Sequence, residues 1–230
     1  MIFSASATCP RSLRNSKSDL SFCFTILTRY CYTSNTDHQQ PFVLLEIGTY
    51  CGYSLIRMAI VLLAALGTDF HVITVDVDPR NIAVARELVE LAGFSAHVSF
   101  VCLTRNQPDE LSARTSAVVR EIRPADKAPR FDFVFIDHEK DLYLPDLRQL
   151  EQSRLVRAGT FVAADNVVFF GLDDYLAHVQ GLASQGIATT ELAIGRLEYL
   201  NDEVTVGDRS LVDGIGKYGI LAKAFFVSVV

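Results

Sequence analysis

Four short apolar segments of this chain each end on an acidic residue. They are residues 42–46 (FVLLE), 72–76 (VITVD), 133–137 (FVFID) and 161–165 (FVAAD). Each is rich in β-branched and aromatic residues and apolar on both faces, as expected for a parallel strand buried between two helix layers. The carboxyl ends of parallel strands share one edge of the sheet, where such folds bind ligands, so these four acids predict a site there.

A glycine-bearing turn, EIGTYCGYS at residues 46–54, follows the first of these segments. Gly48 and Gly52 permit a sharp bend and let a ligand lie against backbone N–H groups. The spacing differs from the G-x-G-x-x-G of pyrophosphate binders. Glu46 would repel a phosphate but suits a cation, which favours S-adenosylmethionine over a nicotinamide dinucleotide. The alternative is a tight turn that binds nothing.

Asp76 ends the second segment and can accept hydrogen bonds from both hydroxyls of a ribose. The alternative roles are a helix N-cap or a solvated strand end. Asp78, followed by Pro79, already provides an N-cap for the next helix. We therefore interpret Asp76 as a ribose-binding residue.

Polar residues also follow the two remaining segments, where Asp137 is succeeded by His138 and Asp165 by Asn166. Neighbouring strands would bring the two aspartates together, which is unfavourable unless one is protonated or a cation lies between them. Two carboxylates and an amide oxygen form a hard donor set suited to Mg²⁺. The alternative for the second pair is an ordinary turn.

Lys140 lies three residues after Asp137 and is the candidate general base. A free lysine has a pKa of about 10.4, which a nearby dication and sulfonium would lower. The metal would also favour ionisation of a bound phenol, whose pKa is about 10 by analogy with tyrosine. The alternative is a surface lysine with no role in chemistry.

Alternating patterns along the chain predict a three-layer αβα sandwich with a mostly parallel sheet. Segments 189–200 and 221–230 suggest an antiparallel pair at the sheet edge. Ser54 and Gly67 are the expected N-cap and C-terminal stop of the first helix. Strands are predicted at 42–46, 71–76, 97–102, 131–136 and 161–164, and helices at 54–66, 79–92, 108–122, 146–156 and 173–183.

Composition limits the class of protein. A length of 230 residues with 50% hydrophobic residues suits one α/β domain, and a net charge of -6 argues against a nucleic-acid surface. An odd count of five cysteines without C-x-x-C spacing argues against a disulfide framework and favours the cytoplasm. The longest apolar run, residues 58–66, is far shorter than the roughly 18 residues of a membrane span. Residues 1–18 contain basic residues and no acid, so they form either a targeting signal or a disordered tail.

Several motifs together closely resemble catechol O-methyltransferases. They are EIGTYCGYS at 46–54, FIDHEKDLYLPD at 135–146, GTFVAADNVVFFG at 159–171, DDYLAHV at 173–179 and RLEY at 196–199. The resemblance implies a Rossmann-like class I methyltransferase fold, with a mostly parallel seven-stranded sheet whose last pair is antiparallel. It also implies transfer of a methyl group from S-adenosylmethionine, with Mg²⁺, to a hydroxyl of a catechol or catechol-like vicinal phenol. We expect the protein to be a monomer.

The resemblance carries roles to matching residues of this chain. Lys140 would be the catalytic base, and Lys140, Asn166 and Glu198 would contact the acceptor. Asp137, Asp165 and Asn166 would hold Mg²⁺. The predicted cofactor-binding residues are Glu46, Gly48, Tyr50, Ser54, Asp76, Asn106, Asp137 and His138, of which Asn106 stands in for a serine-glutamine pair of the family.

The chain also departs from the family. It has no tryptophan, and Glu139 and Phe170 replace an aromatic residue and a proline that wall the catechol pocket. Residues 1–47 contain no glycine, although a glycine-bearing segment closes over the cofactor in the family. We expect residues 1–40 to be a divergent N-terminal segment and residues 41–230 to be the methyltransferase domain. The alternative is a catalytically impaired relative whose cofactor cap is altered, and a nicotinamide-dependent oxidoreductase is less well supported.

Overall fold

The computed structural model describes residues 27, 40–167, 172–196 and 220–227, with side chains left out for 191–196 and 220–227. Strands and helices alternate along the chain, as the hydrophobic pattern predicts. The strands are β1 (Phe42–Ile47), β2 (Phe70–Asp76), β3 (Val98–Cys102), β4 (Phe133–Ile136), β5 (Phe161–Ala164), β6 (Thr189–Arg196) and β7 (Ile220–Val227). The helices are α1 (Tyr53–Leu66), α2 (Pro79–Leu91), α3 (Glu110–Ile122), α4 (Tyr143–Gln152) and α5 (Asp173–Ser184).

The strands form one seven-stranded sheet in the order β3-β2-β1-β4-β5-β7-β6. Strands β1 to β5 are parallel, whereas β7 runs antiparallel to both of its neighbours. This arrangement confirms the predicted fold class and the antiparallel pair at the sheet edge. Residues 197–200 of the first predicted segment and residues 228–230 of the second lie outside the described residues.

Both faces of the sheet are buried, because successive residues of β1 point to opposite helix layers. Val43 and Leu45 pack with residues of α3, α4 and α5. Phe42 and Leu44 pack with residues of α1 and α2. A strand that is apolar throughout is the expected result of burial on both faces.

The order of the strands determines where a ligand can bind. The chain moves from β1 outwards to β2 and β3, and then returns to the other side of β1 to form β4. The carboxyl ends of β1 and β4 therefore flank a topological switch point, the usual position of a ligand crevice in such sheets. Glu46 and Asp137 belong to this edge, as the sequence predicts.

Three predicted boundaries are wrong, each for a local reason. Helix α1 is capped by Gly52 in a left-handed conformation rather than by Ser54, which lies inside the helix. Helix α4 begins at Tyr143, directly after a short 3₁₀ turn, and ends at Gln152. Its end is followed by Arg154 with a φ of 60°, which is incompatible with continuing the helix to residue 156.

Two further elements, α3 and β4, begin later than the pattern predicts. Helix α3 starts at Glu110 instead of residue 108, and the Glu110 carboxylate accepts a hydrogen bond from the Thr104 backbone N–H. Strand β4 starts at Phe133, and the N–H of Phe131 before it donates to the carbonyl of Leu155 rather than to a neighbouring strand. Among the described residues, no helix has both the length and the apolar character that crossing a bilayer requires.

Candidate active site

The turn between β1 and α1 brings the backbone of β1 very close to that of β4. Gly48 has a φ of 109°, and a Cβ placed on it would lie 2.1 Å from the carbonyl oxygen of Asp137. The N–H groups of Gly48 and Thr49 both donate to the carbonyl of Val75 in β2. Only glycine fits the first position of this turn, which joins the exits of three strands.

Glu46 is completely buried below this turn. Its carboxylate accepts hydrogen bonds from the hydroxyls of Ser54, at 2.5 Å, and Thr74, at 2.6 Å. Burial raises the pKa of Glu46 to about 8, although both hydroxyls oppose the shift. The raised pKa favours the protonated form of Glu46 at neutral pH. Ser54 donates to this carboxyl group and does not cap the helix.

Asp76 is held at the end of β2 by backbone groups of two loops. Its carboxylate accepts from the N–H of Tyr50 at 2.9 Å and from the N–H of Asp78 at 2.9 Å. Asp78 itself caps α2 and accepts from the N–H of Arg80 at 2.8 Å. The sequence-based assignment of the helix cap to Asp78 is thus confirmed. Asp76 does not cap the helix and lies at the carboxyl end of β2.

A cavity of about 230 Å³ lies at the carboxyl ends of β1, β2 and β4. Five of the predicted cofactor-binding residues line it, whereas Glu46, Ser54 and Asn106 do not. From the loop after β3, Arg105 lines the cavity in place of Asn106. The lining residues described are Ile47, Gly48, Tyr50, Val75, Asp76, Val77, Arg105, Asp137, His138, Glu139 and Leu142.

A second group of side chains converges on the hydroxyl of Tyr143. Lys140 Nζ donates to Asp137 Oδ1 at 3.1 Å and to the Tyr143 hydroxyl at 2.5 Å. That hydroxyl donates in turn to the backbone carbonyl of Asp165 at 3.1 Å. Burial raises the pKa of Tyr143, and the negative charges of Asp137 and Asp165 raise it further. Both predicted aspartates therefore lie near one point at the sheet edge.

Asn166 has a φ of 61°, and its N–H donates to Asp165 Oδ1 at 2.8 Å. This is a local turn of the kind that aspartate and asparagine favour, and it fixes both residues at the end of β5. In the part of the chain that the structure describes, no three His, Cys, Asp or Glu side chains are grouped to hold a metal ion. A metal site here would consist of two carboxylates and an amide.

His138 connects the cavity to helix α4. Its Nε2 lies 2.8 Å from Asp146 Oδ2, and its ring stacks on Tyr143 with centroids 5.2 Å apart. Arg105 Nη1 and Nη2 donate to the two oxygens of the same aspartate at 2.7 and 2.9 Å. Burial raises the pKa of Asp146, but the hydrogen bonds from His138 and Arg105 outweigh burial and keep it below its ordinary value.

This ion pair was missed in the sequence. Arg105 and Asp146 are 41 positions apart, and no periodic pattern links a loop residue to a residue inside a helix. The signal that was available in the sequence is an arginine in the loop that follows the end of β3. Glu198, Phe170 and most of residues 1–39 lie outside the described residues, while Leu27 is buried in the core next to α1.

Together, the parallel sheet with one reversed strand and the cavity at its switch point define the class I methyltransferase fold. A family model described as O-methyltransferase matches residues 41–205. Catechol O-methyltransferase from Sus scrofa is 35% identical over 179 residues, which cover 78% of this chain and 82% of the pig protein. The chain therefore belongs to the O-methyltransferase family.

Other relatives match over a smaller part of their length. Catechol O-methyltransferase from Bos taurus is 37% identical over 143 residues, covering 62% of this chain and 47% of the bovine protein. Transmembrane O-methyltransferase from Homo sapiens is 34% identical over 144 residues, covering 63% of this chain and 45% of the human protein. The aligned region thus spans about half the length of these two relatives.

Solved structures share the fold at lower identity. The O-methyltransferase from Bacillus cereus in complex with SAH has a TM-score of 0.58 and 18% identity, over 98% of this chain and 84% of that chain. The O-methyltransferase TomG from Streptomyces achromogenes in complex with SAM has a TM-score of 0.60 and 18% identity, over 94% and 83%.

Proposed function

We propose that this chain transfers a methyl group from S-adenosylmethionine to a hydroxyl of a catechol or catechol-like vicinal phenol, with Mg²⁺ as cofactor. The proposal rests on one observation above all: Lys140, Asp137 and the Asp165 turn meet at the Tyr143 hydroxyl, beside the cavity that contains Asp76. A candidate base and two carboxylates thus adjoin a candidate nucleoside site. The 35% identity to the pig catechol O-methyltransferase supports the choice of acceptor.

On the donor side, the chain offers backbone and carboxylate groups to a nucleoside. Asp76 would accept hydrogen bonds from the ribose hydroxyls, because its position at the end of β2 is preserved by the N–H groups of Tyr50 and Asp78. Gly48 would let the methionine portion lie close to the strand exits. Glu46, Ser54 and Asn106 do not line the cavity, so their contacts with the cofactor stay predictions from the sequence.

The residues at the sheet edge fit a hard dication. Asp137 and Asp165 both act electrostatically on Tyr143, and Lys140 is the cation that bonds to Asp137 in this arrangement. Asp137, Asp165 and the amide oxygen of Asn166 would hold Mg²⁺ and leave positions for water and the acceptor. When bound, the ion would supply positive charge that favours the ionised form of a phenol.

Lys140 would accept the proton of the acceptor hydroxyl, for which its amine must be neutral. Asp137 and Tyr143 hold the amine in one position, so that it does not have to be immobilised during the reaction. Fixing the attacking oxygen against the methyl group would provide much of the rate enhancement, because orientation alone can lower the barrier by about 7 kcal/mol or more. Glu198 stays a predicted partner of the second acceptor hydroxyl.

Isothermal titration with S-adenosylhomocysteine, followed by a radiolabelled methyl-transfer assay on a panel of catechols and monophenols, tests the proposal. We expect binding, and we expect transfer to catechols that EDTA abolishes and added Mg²⁺ restores. A folded protein that does not bind the cofactor product contradicts the proposal.

Binding without transfer to any member of the panel would instead favour the impaired relative. Glu139 and Phe170, at positions where the family has pocket-wall residues, are the reason to keep that alternative.

We propose a monomer in the cytoplasm whose catalytic domain spans residues 41–230. Cys51 and Cys102 are free cysteines in the described part of the chain, in keeping with a reducing compartment. Size-exclusion chromatography with light scattering would test the oligomeric state.

A further inference from the structure

We propose that Arg105 binds the purine ring of the methyl donor, an inference that rests on the proposed function. Arg105 belongs to the loop after β3 and lines the same cavity as Asp76 and His138. The loop starts beside the proposed ribose site, because the N–H of Leu103 donates to the carbonyl of Asp76 at 2.8 Å. A base attached to a ribose at Asp76 can therefore reach the Arg105 side chain.

The guanidinium of Arg105 is fixed by a nearly buried partner. Its two terminal nitrogens bond to both oxygens of Asp146, whose side chain is 4% exposed, while the Arg105 side chain is 29% exposed. Asp146 is itself held by His138. The two terminal nitrogens are occupied in this way, so the flat face of the guanidinium is the part that can contact a ligand. Guanidinium faces stack on aromatic rings.

The ion pair also makes an arginine compatible with a cationic ligand. An unpaired guanidinium in the cavity would repel the sulfonium of S-adenosylmethionine. Asp146 balances this charge at hydrogen-bonding distance, so that the cavity gains a planar surface without a net positive charge. Lysine could not provide this surface, because its ammonium is a compact and strongly hydrated point charge.

The position in the loop also distinguishes Arg105 from Asn106, the adenine contact predicted from sequence. Arg105 has a φ of 57°, a left-handed conformation that is uncommon for a long side chain. The cavity is lined by Arg105 and not by Asn106, which is exposed. The geometry therefore favours stacking on a ring face by Arg105 over hydrogen bonding by Asn106.

Titration of S-adenosylhomocysteine into the full chain tests the inference, with Arg105→Ala and Arg105→Lys compared to wild type. We expect both variants to bind about tenfold more weakly, because each loses the stacking and cation–π contacts of the guanidinium with the purine. Arg120→Ala is the matched control, since Arg120 is exposed on α3 and donates to Ser116 away from the cavity. It should bind like wild type.

A ligand that lacks the purine shows whether a substitution of Arg105 removes a contact with the purine ring or disturbs the whole cavity. S-ribosylhomocysteine should bind wild type and Arg105→Lys equally, because neither protein can use the missing ring. Equal weakening of both ligands by the substitution would overturn the inference, as would unchanged binding of S-adenosylhomocysteine. Failure of wild type to bind S-adenosylhomocysteine would instead contradict the proposed function itself.

Discussion

Two buried carboxylates, Glu46 in β1 and Asp146 in α4, are accommodated in opposite ways. Glu46 has only hydroxyl partners, and burial raises its pKa to about 8, so it is kept neutral by a proton. Asp146 is bonded to Arg105 and His138, which keep its pKa below the ordinary value despite burial. Burial raises the pKa of both groups, and only the charged partners of Asp146 outweigh that effect.

The same contrast extends to the two halves of the site. The half that would bind the methyl donor is built from a glycine turn, backbone N–H groups, hydroxyls and the carboxylate of Asp76. The reactive half concentrates ionic side chains, namely Lys140, Asp137 and Asp165, where a proton has to be moved. Substitutions in each half should therefore have different consequences for stability and for turnover.

Gly48→Ala should have the largest effect, because it damages the junction between the two halves. The new Cβ would lie 2.1 Å from the Asp137 carbonyl, and the φ of 109° is unfavourable for alanine. We expect a loss of about 3 kcal/mol or more in the free energy of unfolding, measured with urea. Gly93→Ala, just beyond the end of α2, is the control, with a φ of 80° and nothing within 4 Å, and should lose only about 1 kcal/mol. Equal losses would show that the close approach is unimportant.

Glu46→Gln should change how stability depends on pH. Because the pKa of Glu46 is raised in the folded state, its contribution is complete below the unfolded pKa of about 4.3. That contribution is lost as the pH rises through about 8. A glutamine side chain imitates the protonated form, so the variant should match wild type at pH 4 and exceed it by about 2 kcal/mol at pH 9. Parallel stability curves from pH 4 to 9 would contradict the raised pKa.

Asp146→Asn should show the opposite pH dependence. The pKa of Asp146 is lowered in the folded state, so its contribution is present at neutral pH and lost as the pH falls below about 3.9. We expect a loss of about 1.5 kcal/mol at pH 7 that is smaller at pH 3, and we keep the expected size modest because Arg105 remains partly exposed to solvent. Urea titrations at both pH values provide the measurement, and a loss independent of pH would argue against the ionic pairing.

Tyr143→Phe should have the smallest effect on stability but a clear one on turnover. The substitution removes a hydroxyl that accepts from Lys140 and donates to Asp165, and costs about 1 kcal/mol of unfolding free energy. Because the amine of Lys140 loses one of its anchors, kcat should fall while the KM for S-adenosylmethionine stays the same. Tyr175→Phe is the control, because the hydroxyl of Tyr175 is buried without a partner among the described residues.

Much of the fold could be predicted because its signals are local. A doubly apolar segment ending on an acid marks each of four buried strands, and Asp78-Pro79 marks the start of α2. Boundaries failed where a side chain serves a distant group, as Ser54 does by donating to Glu46 instead of capping α1. The contacts of Arg105 with Asp146 could not be predicted, because pairing across 41 positions depends on the folded arrangement of a loop and a helix.

The most direct test of whether cofactor binding and proton transfer depend on different residues is Lys140→Ala. The measurement is single-turnover methyl transfer to catechol at saturating S-adenosylmethionine and Mg²⁺. Removal of a general base should slow transfer by about 100-fold or more. The Kd for S-adenosylhomocysteine should remain within about twofold of wild type, since Lys140 does not line the donor cavity. Transfer at the wild-type rate would contradict the account, as would a loss of cofactor affinity equal to the loss of rate.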